Sequence, residues 1–460
     1  MTSAKASRSL DIAFMDAPAP RCTLASAAQA NCGGNRQRKE LLERKNLSLW
    51  FVATSLSLIG DSALWLAVGL WAKQLTGSSG AAGIALFFYA VPNLVAPGLA
   101  LIVDRVPRHA LYIAMNVAMS AWCCLALVAT DRHDLWILYL LLFGIGVGGC
   151  INKAVGGALL PYLSTESDLG RTNAVIHIGQ QLALVLSPTL GAALYASFGP
   201  VAVALFNSGT FAAAALCAWL IRVDEPPIVP ARFTSRDFLA GVHHVRTTPA
   251  IRRVVIGVAS TAAVFGIYET VIFSVTTDGL HRAASFLGTL VTAKGFGSLM
   301  GSLVTLRFIS RIGEWAVLKI GLALLAFGTA LLTASSTAWV VTGFIVAGFA
   351  IPFLLVPLAV AVQRHTPENL LGRGAAVAEA AFTVPHLVST GVSALVVDLV
   401  DYRLLLAVLV SGVLFSLLYT VTRPRLDAPE EPREARKSPK PSKEPMDAAS
   451  SHRPPRRDLA

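Results

Sequence analysis

Pro97-Gly98-Leu99-Ala100-Leu101-Ile102-Val103-Asp104-Arg105-Val106-Pro107-Arg108-His109 is the stretch whose reading decides the fold. An apolar run stops at an acid, bases follow within one turn's length, and another apolar run starts at once at Ala110. Charge wedged between two long apolar segments reads as a short polar hinge joining two membrane spans.

The rest of the chain agrees with that solvent. Of its 460 residues 54% are hydrophobic and only 14% charged, against about 25% charged in soluble domains. A spanning helix needs about 20 predominantly apolar residues. Twelve segments qualify: 47–71, 81–103, 110–130, 135–160, 172–198 and 201–221, then 254–275, 284–308, 315–335, 338–362, 374–397 and 404–421. Their apolar runs are continuous rather than alternating, which excludes a β-barrel. The expected fold class is therefore an all-α polytopic membrane protein.

Arg and Lys in the short connections set orientation. With the first tail inside, Arg105, Arg108, Arg171, Arg222, Arg232, Arg236, Arg246, Arg252, Arg253, Arg307, Arg311, Arg364 and Arg373 fall on the cytoplasmic side. The outer connections hold only Lys73, Arg132, Arg282 and Arg403. Both termini are expected in the cytoplasm and the chain in the plasma membrane. The formal net charge of +11 is concentrated in the tails, which contribute +4 before Leu47 and +3 from Arg423 onward. Beside membrane spans such tails suit anionic lipid, and no nucleic-acid partner is expected.

Five parts follow. Residues 1–46 read as a disordered cytoplasmic tail without a signal core, since the apolar stretch Ile12 to Met15 is too short for one. Residues 47–222 form a six-helix bundle. Residues 223–253 form a cytoplasmic linker, in which Phe238, Val242 and Val245 recur at helical spacing and predict an amphipathic helix on the inner surface. Residues 254–422 form a second six-helix bundle, and the Pro-rich residues 423–460 a disordered tail. The halves repeat: Gly170-Arg171 and Gly372-Arg373 are 202 residues apart, and Ala100 and Gly301 are 201 apart. Thr305 then stands where the first half has Asp104.

The hinge carries a family resemblance. Asp104, Arg105 and Arg108 match the Gly-x-Leu-Ala-Asp-Arg-x-Gly-Arg-Arg/Lys signature between spans two and three of the major facilitator superfamily. Ala100, Pro107 and His109 depart from it. The chain resembles that superfamily over about residues 47–422, which implies twelve transmembrane helices in two six-helix repeats and charge pairing at the hinge. Gly60-Asp61, Ala158-Leu159-Leu160-Pro161, Arg171-Thr172-Asn173-Ala174 and Gly295 to Gly301 are similar to the macrolide- and siderophore-efflux branch, the third drug:proton antiporter group. Ser187-Pro188-Thr189-Leu190-Gly191 is similar to the Gly-Pro antiporter motif, with Ser187 in place of its Gly.

Ionisable groups in hydrocarbon cost several kcal/mol and are functional candidates by default. Asp61 shares a helical face with Thr54 and Ser57, toward a polar cavity or toward a neighbouring helix. Glu269 shares a face with Phe265 and Phe273; Glu379 lies near Thr383 and His386. A carboxylate held away from water meets the requirement for reversible protonation near neutral pH. Lys153 is expected to face Asp61 or substrate, and Lys294 to face Glu269 or Glu379. His177 and Gln180 are candidate cavity residues or interhelical hydrogen-bonding groups. Trp65 shares the Asp61 face. Gly144-x-x-x-Gly148 and Gly297-x-x-x-Gly301 read as helix-packing motifs.

No Gly-Lys-Ser/Thr phosphate loop, His/Cys metal cluster or nucleophile elbow is present, so the chain is not read as an enzyme and no cofactor or metal is expected. The reading is a secondary transporter working by alternating access: the expected partners are a small-molecule substrate and the bilayer, and a monomer is expected. Proton-coupled export of an amphipathic molecule is the first expectation, with the proton gradient as energy source. An importer or uniporter, and a non-transporting membrane receptor or assembly protein on the same fold, stay open.

Overall fold

The computed structural model describes residues 22–103, 105–163, 169–223, 225, 235–367 and 370–422. Among the described residues the chain is helical, with no strand. The first half holds α1 (Cys22–Thr76), α2 (Ser79–Ala90), α3 (Pro92–Val103), α4 (Arg108–Cys123), α5 (Leu135–Leu163), α6 (Leu169–Phe198) and α7 (Pro200–Leu220). The short α8 (Ser235–Thr247) follows. Then come α9 (Pro249–Ser274), α10 (Leu287–Ile312), α11 (Glu314–Leu331), α12 (Thr337–Ala350), α13 (Pro352–His365), α14 (Leu371–Val396) and α15 (Tyr402–Thr422).

Eleven helical stretches among the described residues are long and apolar enough to cross a membrane. The expected segment 374–397 is not one of them. It forms α14 all the same, with 26 residues, about 39 Å at 1.5 Å per residue. That exceeds the hydrocarbon thickness of about 30 Å. Glu379, Pro385 and His386 lower its hydropathy, and all three stand in the part of the helix that builds the site below.

Two expected spans are broken in the middle. The second divides into α2 and α3 at Pro92, and the tenth into α12 and α13 at Pro352. Proline has no N–H for the helical ladder and its ring crowds the preceding turn. The helices continue past each break through short bonds, Leu94 N–H to Val91 O (3.0 Å) and Leu354 N–H to Ile351 O (3.0 Å).

The start of the chain departs from expectation. The segment 22–46, read as part of a disordered tail, is helical and continuous with the first span in α1. Its Ala-, Gln-, Arg-, Lys-, Leu- and Glu-rich composition has high intrinsic helix propensity. The amphipathic α8 forms, but its apolar face is not spread on a lipid surface. Val245 is buried, and Phe238 and Val242 pack against the core shared by α9 to α15. A Cβ on Gly241 would lie 2.7 Å from the Arg373 carbonyl oxygen, so α8 abuts the first turn of α14.

The outer surface is apolar. Trp219, Leu395 and Phe415 are each 68% exposed. A skin of such residues is a liability in water and is matched by lipid. Inside, helices approach through small residues. On α10 a Cβ at Gly297 would fall 2.9 Å from the Phe349 nitrogen, and one at Gly301 3.2 Å from Phe349 Cα, so both glycines are packing positions against α12. Among the contacts that join the first half of the chain to the second, α6 packs on α10, with a Thr189–Thr292 hydroxyl bond of 2.6 Å, and α2 packs on α14, with Gly83 against Ala394.

Candidate functional site

A cavity of about 1030 Å³ lies between helices of the two halves. Its walls come from α1 (Ser62, Trp65), the α2–α3 break (Tyr89, Asn93), α6 (Gln181, Pro188), α9 (Glu269), α10 (Lys294, Ser298), the α12–α13 break (Ile351, Leu355) and α14 (Glu379, Phe382, His386). Both proline breaks therefore face the cavity, where a bent backbone widens the space between helices. Gln363, Leu371 and Gly372 form its rim at the α13–α14 connection, beside Arg364 and Arg373.

Position along α14 sets depth. Glu379 is eight residues from the rim end of that helix and His386 fifteen, about 12 Å and 22 Å at 1.5 Å per residue. The charges accordingly form two tiers. In the shallow tier Lys153 Nζ on α5 lies 2.8 Å from Glu379 Oε1. The two side chains are 75% and 65% exposed, so the pair is wet and its net stabilisation is small.

The deep tier is drier. His386 Nε2 is 3.7 Å from Glu269 Oε2, with side chains 15% and 22% exposed. That separation is too long for a hydrogen bond, and His386 Nε2 has no hydrogen-bond partner. The imidazole is fixed in orientation by aromatic rings: it stacks on Phe382 at 5.4 Å and sits tilted against Phe265 at 5.8 Å. Lys294 completes the tier, its ammonium 5.5 Å from the centroid of the Tyr268 ring. A cation over an aromatic face keeps part of its stabilisation where water is scarce.

Several expected placements change. Lys153 pairs with neither Asp61 nor another group of its own half but reaches α14. Asp61 does not line the cavity; its Oδ1 accepts from Asn207 Nδ2 on α7 at 3.2 Å. Nor do its expected companions: Thr54 donates to carbonyls of its own helix, and Ser57 is buried. Of that face only Trp65 borders the cavity. Gln181, one residue beyond the expected Gln180, is the wall residue; one step turns a side chain by 100° around a helix. His177 lies on α6, and its side chain is outside those described. Asp104 is outside the described residues. Lys294, Glu269 and Glu379 all border the cavity. His386 carried no expected role, although its spacing of seven from Glu379 places both on one face of α14.

At the hinge, Glu225 supplies an acid from the linker. Its carboxylate accepts from the backbone N–H of Arg108 (2.9 Å) and of His109 (2.5 Å), the first residues of α4. His109 Nε2 also lies 2.8 Å from the Ala218 carbonyl oxygen. Among the described residues no cluster of three or more His, Cys, Asp or Glu side chains could hold a metal ion.

Comparison with known proteins places this geometry. A sequence model of the Major Facilitator Superfamily matches residues 50–384 and 254–455. No curated protein sequence matches the chain. Among solved structures, a bacterial homologue of the iron transporter ferroportin in an inward-facing state has a TM-score of 0.67 at 16% identity, over 82% of this chain and 99% of its own. The nucleoside transporter NupG has a TM-score of 0.66 at 13% identity, over 83% and 100%. A bacterial homologue of the human lysosomal transporter Spinster, inward-facing and unoccupied, has a TM-score of 0.58 at 14% identity, over 83% and 94%. At these identities the likeness is one of fold.

Proposed function

The chain belongs to the major facilitator superfamily of membrane transporters, and on that premise we propose that it exports an amphipathic small molecule of drug, macrolide or siderophore type, coupled to proton movement, by alternating access. The single observation that carries the reading is the cavity of about 1030 Å³, walled by helices of both halves and holding an acid–histidine pair in its driest part. Its volume suits one drug-sized ligand. Trp65, Tyr89, Phe382 and the leucines offer an apolar bed, and Asn93, Gln181, Ser298 and Thr383 offer orienting polar groups.

In this reading the bundles 47–222 and 254–422 are the moving bodies and the linker 223–253 joins them. The arginine-rich rim faces the cytoplasm, both termini lie on that side, and the protein works as a monomer in the plasma membrane. Glu269 and His386 carry the proton. A carboxylate beside a histidine exchanges a proton without stranding a lone charge away from water. The likeness of Ala158 to Pro161 and Arg171 to Ala174 to the drug:proton antiporter branch supports the export direction. Cargo and proton shift the access equilibrium only by their different affinities for its two states.

The test is accumulation of a labelled macrolide in everted vesicles with an imposed gradient, acid inside. Uptake that collapses when a protonophore is added is the expected result. Uptake indifferent to the gradient would remove proton coupling, and no flux of macrolide or any other amphipathic probe would remove export.

A further inference from the structure

The end of the molecule away from the rim is fastened by groups that the cavity does not use. Lys73, three residues before the end of α1, donates to Ser79 Oγ (2.8 Å), to Thr277 Oγ1 (2.7 Å) and to the Phe273 carbonyl (3.1 Å). Ser274 donates to the same Ser79 oxygen at 2.9 Å. Asp398, just past α14, reaches the start of α2. It accepts from the N–H of Ser79 (2.9 Å) and of Gly80 (3.0 Å), and from the Ser78 hydroxyl.

The physics of a helix start explains the arrangement. The first backbone N–H groups of α2 have no partner within the helix. Ser78 Oγ takes that of Ala81 at 2.9 Å, as an N-cap does. Asp398 takes the two before it, and its negative charge lies at the positive end of the helix dipole. The cap is thus divided between residues 320 positions apart. It exists only while α2 and the end of α14 are together. Lys73 adds a cation on the same seam and bonds across it to α9. Nothing here is irreversible: Asp398 is exposed, so water can replace its bonds when the seam parts.

We propose that Asp398 and Lys73 form the latch that holds this end of the transport path shut, and that its release opens the cavity to the opposite side of the membrane. This rests on the alternating-access reading above. The residues act on the access equilibrium and touch no cargo. The charged groups that face one another across the seam are Lys73 from α1, Asp278 from the turn after α9, through its bond to Thr277 (2.7 Å), and Asp398. A Cβ on Gly80 would run into the Ala394 carbonyl oxygen, so α2 and α14 are in backbone contact where the seam is closed.

Access to the cavity from each side tests the latch. Ser298, a wall residue, is replaced by cysteine in a chain whose native cysteines have been removed. A membrane-impermeant maleimide is then applied to intact cells and to everted vesicles. Losing charge-assisted bonds at the seam by Asp398→Asn or Lys73→Met is expected to raise the labelling rate about tenfold in one preparation and to lower it in the other. Asp398→Glu is expected to keep the parental rates. Ser79→Ala removes a shared acceptor without altering charge, and a rise of about threefold is expected from it, which keeps the test open if a charge variant fails to insert. Unchanged rates in inserted Asp398→Asn or Ser79→Ala protein would overturn the latch. Labelling needs no cargo and no gradient, so failure of the latch and failure of the export reading are separate results.

Discussion

Lys153 and Glu379 stand 226 positions apart in the chain and 2.8 Å apart at the open end of the cavity. The pair joins α5 to α14 across the mouth while both side chains stay largely exposed. Such a pair contributes under about 1 kcal/mol to stability, so its place and not its strength is what matters. Lys153→Met and Glu379→Gln are each expected to leave thermal unfolding of the purified protein within a few degrees and to lower transport. The exchange Lys153→Glu with Glu379→Lys is expected to recover part of the loss. A reversed pair no better than the single variants would mean that each residue acts alone.

Glu269 and His386 are the proposed proton carriers, and the two kinds of transport separate that role from cargo binding. Glu269→Gln is expected to cut gradient-driven accumulation at least tenfold, while exchange of labelled for unlabelled cargo in the absence of a gradient continues. His386→Gln is expected to weaken gradient-driven accumulation less, because the carboxylate remains. Equal loss of exchange and of driven transport in Glu269→Gln would make the residue part of the cargo site instead.

Asp61 is a candidate in the sequence for a cavity or a packing role, and its surroundings argue for packing. Asn207 holds its carboxylate, and Thr210 donates to Asn207 Oδ1 at 3.0 Å, so the three form one network between α1 and α7. Asp61→Asn keeps the size of the side chain and an acceptor for Asn207, and is expected to leave gradient-driven transport within about twofold. Asp61→Leu strands Asn207 and is expected to cost about 1–3 kcal/mol, read as a lower unfolding temperature. Loss of proton coupling in folded Asp61→Asn would restore the sequence reading.

These differences show where a sequence speaks and where it does not. Helix existence was legible because twenty apolar residues in a row have few alternatives, and the hinge because charges stand out against them. The packing role of Gly297 and Gly301 was legible for the same reason, since small residues four apart make one flat stripe. The partner of a polar side chain was not, because it depends on rotation to within a fraction of a turn. Gln180 and Gln181 differ by one such step, and Asp61 and Ser62 face α7 and the cavity respectively. Lys153 could reach Glu379 only through the meeting of two helices that no local pattern specifies. Lys73 reads in the sequence as an ordinary residue of an outer connection, and only the fold brings it to one seam with Asp398.

The hinge itself yields the last expectation. Glu225 caps α4 from the linker, two backbone N–H groups on one carboxylate, so the linker holds the helix that follows the hinge. Losing such a cap costs about 0.5–2 kcal/mol. Glu225→Ala is expected to lower the unfolding temperature by a few degrees, and Glu225→Gln by less, since an amide oxygen still accepts. Thr305, the second-half counterpart of Asp104, sits differently: it is fully buried and donates to the Gly301 carbonyl of its own helix at 2.7 Å. Thr305→Val is expected to insert and transport normally, whereas Thr305→Asp, which would make the halves alike, buries an unpaired charge and is expected to abolish insertion, seen as loss of the protein from the membrane fraction. Normal membrane levels of Thr305→Asp would mean that the second-half position opens to water during the cycle.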